Sequence, residues 1–271
     1  MAGWNGLSEA DVETWTAHFG VGADQIHHDF AISHVLRELS LHADMFVFYG
    51  GTALSRTILD GLRLSEDIDL LTVGPRGPAA TMLDEVLRSG LERRFGVIDA
   101  RPRLPETRTD TQACLYRIAD VTVQIQLIAG DAYTPWPRQA SRVSLRYAGL
   151  SDVTLTTYSP AGFVAAKTTA WCDTTRNAPR DLYDLWALGQ AGHINAEAAH
   201  VFRRFGPVAA YPRRWLFPQR PPSEAEWDDA LAHLGRLAVG PREAYESVVT
   251  AWSTAVECAE HPAQRNPHCP G

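Results

Sequence analysis

The sequence predicts an α+β protein, with a mixed strand-and-helix module in the first half and an all-helical module in the second. Three observations predict it. Up to about residue 155, short apolar runs of strand length alternate with helical spacings and are punctuated by Gly and Pro. From residue 159 onward only helical spacings recur, two of the first of them opening on proline. A chain of 271 residues that is 45% hydrophobic can also bury enough surface for two modules. The expected divisions are 1–155 for the α/β module with its N-terminal helices, 156–260 for the helical module, and 261–271 for a flexible tail.

The elements follow in order. Residues 8–19 and 23–41 read as helices, the second with Ile26, Phe30, Ile32, Val35, Leu36 and Leu39 near helical spacing. Residues 45–49, MFVFY, read as a buried strand that turns at Gly50-Gly51 into a short helix, TALSRTILDGL. SEDIDLLTV reads as a second strand, with Ile68, Leu70 and Thr72 on one face and Asp67, Asp69 and Leu71 on the other. A helix is expected over 79–94, then strands near 96–103, 112–119 and 121–128, the last two joined by a tight Ala-Asp turn. Residues 130–150 read as loop. Helices are then expected from Pro160 and from Pro179, and over 195–205, 223–238 and 241–259.

Composition narrows the class. No run approaches the roughly 18 apolar residues of a membrane span, and the N-terminus lacks the basic start and apolar core of a signal peptide. A cytoplasmic protein is the default expectation. Cys114, Cys172, Cys258 and Cys269 are scattered without a CxxC pair, against a disulfide scaffold. A net charge of −7 argues against a generic nucleic-acid coat, although arginines cluster at Arg93/Arg94, Arg101/Arg103/Arg108, Arg203/Arg204 and Arg213/Arg214. Of 25 basic residues only Lys167 is a lysine, which suggests a position where a compact ammonium is wanted and a guanidinium is not.

The chemistry concentrates in GGTALSRTILDGLRLSEDIDLL, residues 50–71. Side chains alternate along a strand, so Asp67 and Asp69 share a face, where two carboxylates repel unless a cation joins them. Hard divalent ions are held this way, through one or two carboxylates and the phosphates of a substrate. Gly50, Gly51 and Thr52 stand where a strand turns into a helix, allowing close backbone approach and offering N–H groups to phosphate oxygens. Together they read as a phosphate-and-metal cradle. Asp69 lies inside an apolar run, where an unpaired carboxylate is costly, so an ordinary polar turn explains it poorly.

This stretch resembles the signature of the AbiEii/MenT nucleotidyltransferase toxin family, within the DNA polymerase β-like nucleotidyltransferase superfamily: a strand, GGTAL, a helix, then R-x-S-x-D-h-D-L. Arg63, Ser65, Asp67, Asp69 and Leu70 match it. A second segment, AAKTTAWCDTTRNAPRDLYDLWAL, resembles the family's K…R…RDxxDL pattern through Lys167, Arg176, Arg180, Asp181 and Asp184. The resemblance covers roughly residues 46–190.

The resemblance implies a polymerase β-like fold and a catalytic set of Asp67, Asp69, Lys167 and Asp181, with Asp67 and Asp69 as metal ligands. Nucleotide contacts would come from Gly50, Gly51, Thr52, Arg63, Ser65, Lys167, Arg180 and Asp184. It further implies Mg²⁺ or Mn²⁺ as cofactor, an NTP as substrate, the 3′ end of tRNA as acceptor, and an antitoxin as partner in a toxin–antitoxin or abortive-infection system. A transferase acting on a small molecule or a protein hydroxyl, and a silent regulatory protein of the same fold, are the alternatives. One departure stands out. Many polymerase β-like enzymes carry a third acid on a following strand, but here VTVQIQLI places Gln124 and Gln126 there, leaving Asp120 or Asp131 as substitutes.

Overall fold

The computed structural model describes residues 4, 6–108, 112–173, 175 and 179–261. They form two compact units. The first comprises the chain through Tyr133 together with Gln139–Thr157 and Leu234–Arg236, and the second comprises Thr134–Arg138, Tyr158–His233 and Leu237 onward.

The first unit opens on α1 (Glu9–Phe19), started by a capping box between Ser8 and Asp11 and stopped by Gly20 in the left-handed region. α2 (Ala23–Ser40) buries Ile26, Phe30, Ile32, Val35, Leu36 and Leu39, the apolar positions of its sequence pattern. β1 (Phe46–Tyr49) is buried along its whole length and runs directly into α3 (Gly50–Ser55). β2 (Asp67–Thr72) follows, then α4 (Arg76–Phe95), β3 (Asp99–Arg101), β4 (Cys114–Ile118), β5 (Val121–Ile128), β6 (Arg138–Val143) and β7 (Val153–Tyr158). Among the described residues the strands form one seven-stranded sheet in the order β3-β4-β5-β2-β1-β7-β6. It is mixed: β2 pairs antiparallel with β1 and parallel with β5, while β1 pairs parallel with β7.

The second unit is helical: α5 (Pro160–Cys172), α6 (Pro179–Gln190), α7 (Ala196–Phe205), α8 (Glu224–Leu231) and α9 (Pro241–Glu260). Ser159 caps α5 by accepting from Gly162 N at 3.1 Å, and Pro160 occupies the first turn, where its missing N–H costs nothing. The core of this unit includes Phe163, Leu182, Leu188, Phe202, Trp227 and Trp252.

Several boundaries differ from the sequence reading. β6 lies in a stretch expected to be loop: it is a polar strand in which only Val143 is buried, so it shows no apolar alternation. β7 is a short threonine-rich strand in which Leu155, Thr157 and Tyr158 are buried. The glycines at 50 and 51 belong to α3 itself, which ends at Ser55 instead of running on to residue 62. α4 begins three residues early, α8 stops at Leu231, and β3 is only three residues long. The expected tail lies outside the described residues beyond His261.

Candidate active site

Asp67 and Asp69 open β2, half-buried, with Ile68 and Leu70 fully buried between and beyond them. The alternation follows from strand geometry, so the two carboxylates point to one face and the apolar pair to the other. In register, Tyr49 of β1 stands opposite Asp69, and Gln126 of β5 stands on its other side; Gln124 stands beside Asp67. Residues directly opposite one another share a face, so Tyr49, Asp69 and Gln126 form one row across three strands. Tyr49 in turn meets the ring of Tyr133, 5.6 Å between centroids.

Gly50 is required by this row. Gly50 has φ +80°, and a Cβ there would lie 2.1 Å from Asp69 Oδ2 and 2.9 Å from its Cγ. Gly51 is less crowded: its Cβ would meet Ser65 Oγ at 3.0 Å and Arg63 Nη2 at 3.2 Å. Thr52, buried, donates from its hydroxyl to the carbonyl of Asp67, tying the helix directly to the strand that carries the acids. Arg63 is buried and donates from Nη1 to Leu64 O at 2.8 Å, while Leu64 N donates to Leu234 O at 2.7 Å. Gly50, Gly51, Thr52, Arg63, Ser65, Asp67 and Asp69 are therefore brought together on one local frame.

Register places no acid of β5 beside the pair. The places beside Asp67 and Asp69 on β5 are occupied by Gln124 and Gln126. Asp120 sits exposed in the turn before β5, four residues ahead of Gln124, and Asp131 sits exposed in a short turn beyond the strand's other end. Among the described residues no group of three or more acids, histidines and cysteines could hold a metal. Two same-face carboxylates, one of them lying against the backbone of Gly50, suit a hard cation that brings its remaining oxygen ligands with a substrate.

A buried ionic network braces this frame, and nothing in the local sequence announced it. Arg56, directly after α3, donates to Asp29 Oδ1 and Asp29 O at 2.8 Å and to Ser33 Oγ and Ser144 O at 2.9 Å. Arg146 Nη1 meets the same Asp29 Oδ1 at 2.9 Å, and its Nη2 donates to Ser55 O at 2.6 Å, at the end of α3. Tyr147 donates to Asp29 Oδ2 at 2.9 Å. Burial pushes the Asp29 carboxyl up, but the guanidiniums of Arg146 and Arg56 prevail and hold it below the usual carboxylate range. Side chains on α2, on α3's flank and in the 144–147 loop thus fix the helix that presents Gly50 and Gly51. A buried arginine has no signature in composition or spacing, which is why it was missed.

In the second unit, Lys167 on α5 lies between two carboxylates of α6. Its Nζ is 2.7 Å from Asp181 Oδ1 and 2.8 Å from Asp184 Oδ2, with all three side chains largely buried. The acids are three apart on a helix, so they share a face, and α5 presents the ammonium to both. Arg180, next in sequence, turns elsewhere: its Nε donates to Ala230 O at 3.0 Å and its Nη2 lies 3.3 Å from His233 Nε2. Arg176 lies outside the described residues. Trp171, Trp227 and Trp252 are buried, and Trp215 is 61% exposed. Among the described residues no helix is long and apolar enough to cross a membrane.

The profile of a family described as nucleotidyl transferase AbiEii toxin, type IV toxin–antitoxin system, matches residues 34–248. No curated protein matches the chain. Two of the solved structures that resemble it in fold are described as nucleotidyltransferases. One is MenT4, a nucleotidyltransferase toxin of Mycobacterium tuberculosis H37Rv, at 19% identity and a TM-score of 0.67, covering 93% of this chain and 90% of that one. The other is a candidate nucleotidyltransferase from H. pylori, at 16% identity and a TM-score of 0.51, covering 88% of this chain and 97% of that one.

Proposed function

Because the chain belongs to the AbiEii nucleotidyl transferase toxin family of type IV toxin–antitoxin systems, we propose that it transfers a nucleotide from an NTP to the 3′ end of a tRNA, and that Asp67 and Asp69 are the heart of its site. The observation that supports this reading is the pair of same-face acids opening β2, with the Asp69 carboxylate lying against the backbone of Gly50. A nucleic-acid acceptor rests on the family, with the arginine clusters as support.

Asp67 and Asp69 are the residues that would hold Mg²⁺ or Mn²⁺, and such an ion, when bound, supplies charge neutralisation at the triphosphate. Gly50, Gly51 and Thr52 bind and orient the phosphates through the start of α3, and Ser65, within reach of Gly51, closes the other side. The acceptor hydroxyl attacks the α-phosphorus. The new P–O bond forms as the bond to the β-phosphate bridging oxygen breaks, pyrophosphate leaves, and Asp69 takes the hydroxyl proton. Lys167, held by Asp181 and Asp184, is assigned to the phosphate charge that develops in this step. Arg63 and Arg180 support the two motifs. The second module, roughly 156–260, is proposed as the carrier of Lys167 and Asp181 for the reaction. A toxin of this type implies a cognate antitoxin that restrains it.

The test is incubation of the protein with each labelled NTP, Mg²⁺ and total RNA. Label in the tRNA fraction is expected. Pyrophosphate release without labelled RNA would move the acceptor to a small molecule or protein, and no turnover with any acceptor would mark the fold as silent.

A further inference from the structure

Away from the acids, the first unit has a concavity of about 410 Å³ between α2 and α4. Its lining includes His34, Arg37, Glu38, Arg93 and Arg94. His34 is 2% exposed, and its Nε2 is buried without a hydrogen-bond partner. A buried polar nitrogen left unpaired costs free energy, and such atoms are uncommon enough to ask what satisfies them. Three guanidiniums surround the same hollow. Arg37 stands in the last turn of α2, and Arg93 and Arg94 stand in the last turn of α4, where the helix dipole favours a cation. That preference explains a cation at each helix end. It does not explain their convergence around an imidazole that meets Phe30 and Phe95 edge-to-face and leaves its Nε2 without a hydrogen bond. Glu38 lies 3.8 Å from Arg93, and the Arg94 guanidinium rests over the rings of Phe30 and Phe95.

We propose that this concavity binds a phosphate group, with His34 Nε2 and the guanidiniums of Arg37 and Arg94 as its donors. Guanidinium forks match phosphate oxygens in pairs, and three arginines against one glutamate leave the hollow positive. The volume falls at the small end of ligand sites, large enough for a phosphate and its linked atoms. Burial, then Arg94 and Arg37, hold His34 neutral, its pKa pushed down to about 3. It therefore offers a neutral N–H that complements the charged donors. Burial, then the nearby Arg37, lowers Arg94 as well, and an anion beside the two guanidiniums would offset both. The phosphate is either part of a nucleic-acid backbone or a free phosphate or pyrophosphate.

The test uses the whole protein with ¹⁵N-labelled histidine, the His34 signal being identified by its absence from His34→Phe. Sodium pyrophosphate, a short single-stranded RNA and, as control, sodium acetate are titrated separately at constant ionic strength. A saturable shift of the His34 Nε2 resonance with pyrophosphate or RNA is expected. The exposed Arg37→Gln variant should weaken that binding by about tenfold. A shift with RNA alone assigns the phosphate to a nucleic-acid backbone, and a shift with pyrophosphate alone assigns it to the free anion. No shift with either, an equal shift with acetate, or an unchanged affinity in Arg37→Gln overturns the proposal. Nucleotide transfer is not read, so failure here is separate from failure of the transferase reading.

Discussion

The backbone of Gly50 packs against the carboxylate of Asp69 so closely that a single methyl on Gly50 would stand 2.1 Å from Asp69 Oδ2. A strand-to-helix turn and the first strand acids are thereby one structural object, joined by Thr52 to the carbonyl of Asp67.

Gly50→Ala tests that object. The new Cβ meets the carboxylate, and the residue must also adopt φ +80°, which costs an L-residue about 1–2 kcal/mol. Asp69 must move, so transfer activity should fall by about a hundredfold, as misplacement of about 1 Å does elsewhere. Circular dichroism should still show a folded chain.

Lys167 is buried between Asp181 and Asp184, so its loss leaves two facing carboxylates. Lys167→Met should destabilise the chain by roughly 3–5 kcal/mol, the cost of breaking a buried ion pair from one side. Adding Asp181→Asn and Asp184→Asn should recover much of that stability, because the uncompensated charge is gone. Activity should not recover if Lys167 serves the reaction. Thermal melting and nucleotide transfer on the same samples separate the two effects.

Asp29 makes a pH prediction. Its folded pKa lies below the ordinary 3.8, so the unfolded chain takes up its proton first. The stability it contributes is complete above the ordinary carboxylate range and is lost as pH falls through 3.8 and below. Asp29→Asn, which leaves Arg56 and Arg146 without a charged partner, should lower stability at neutral pH and flatten the decline below pH 4 (about the unperturbed Asp value). Denaturant melts at pH 7 and in acid read both (pH 7 being roughly the plateau for carboxylates).

How much of this was legible depended on range. Gly50, Gly51, Asp67 and Asp69 lie within twenty residues, and their meaning rests on strand alternation and on glycine's small size, both local rules. Lys167 was legible as the single lysine, and Asp181 and Asp184 through the resemblance of their segment to the family's RDxxDL pattern. Arg56 was not. It sits inside the motif as an ordinary residue, and its role is set by Asp29, Ser33 and Ser144, distant in sequence. The absence of a third acid was visible in VTVQIQLI, but only the register of β2 against β5 showed that Gln124 and Gln126 occupy the positions beside Asp67 and Asp69. β6 escaped because a polar strand shows no alternation.

The most direct measurement is pyrophosphate release and RNA labelling by Asp67→Asn and Asp69→Asn beside the unaltered protein, each checked by melting. Both substitutions keep side-chain volume and remove a charge, so the fold should persist and turnover should fall to background. Turnover near that of the unaltered protein in both variants would contradict the assignment of the site.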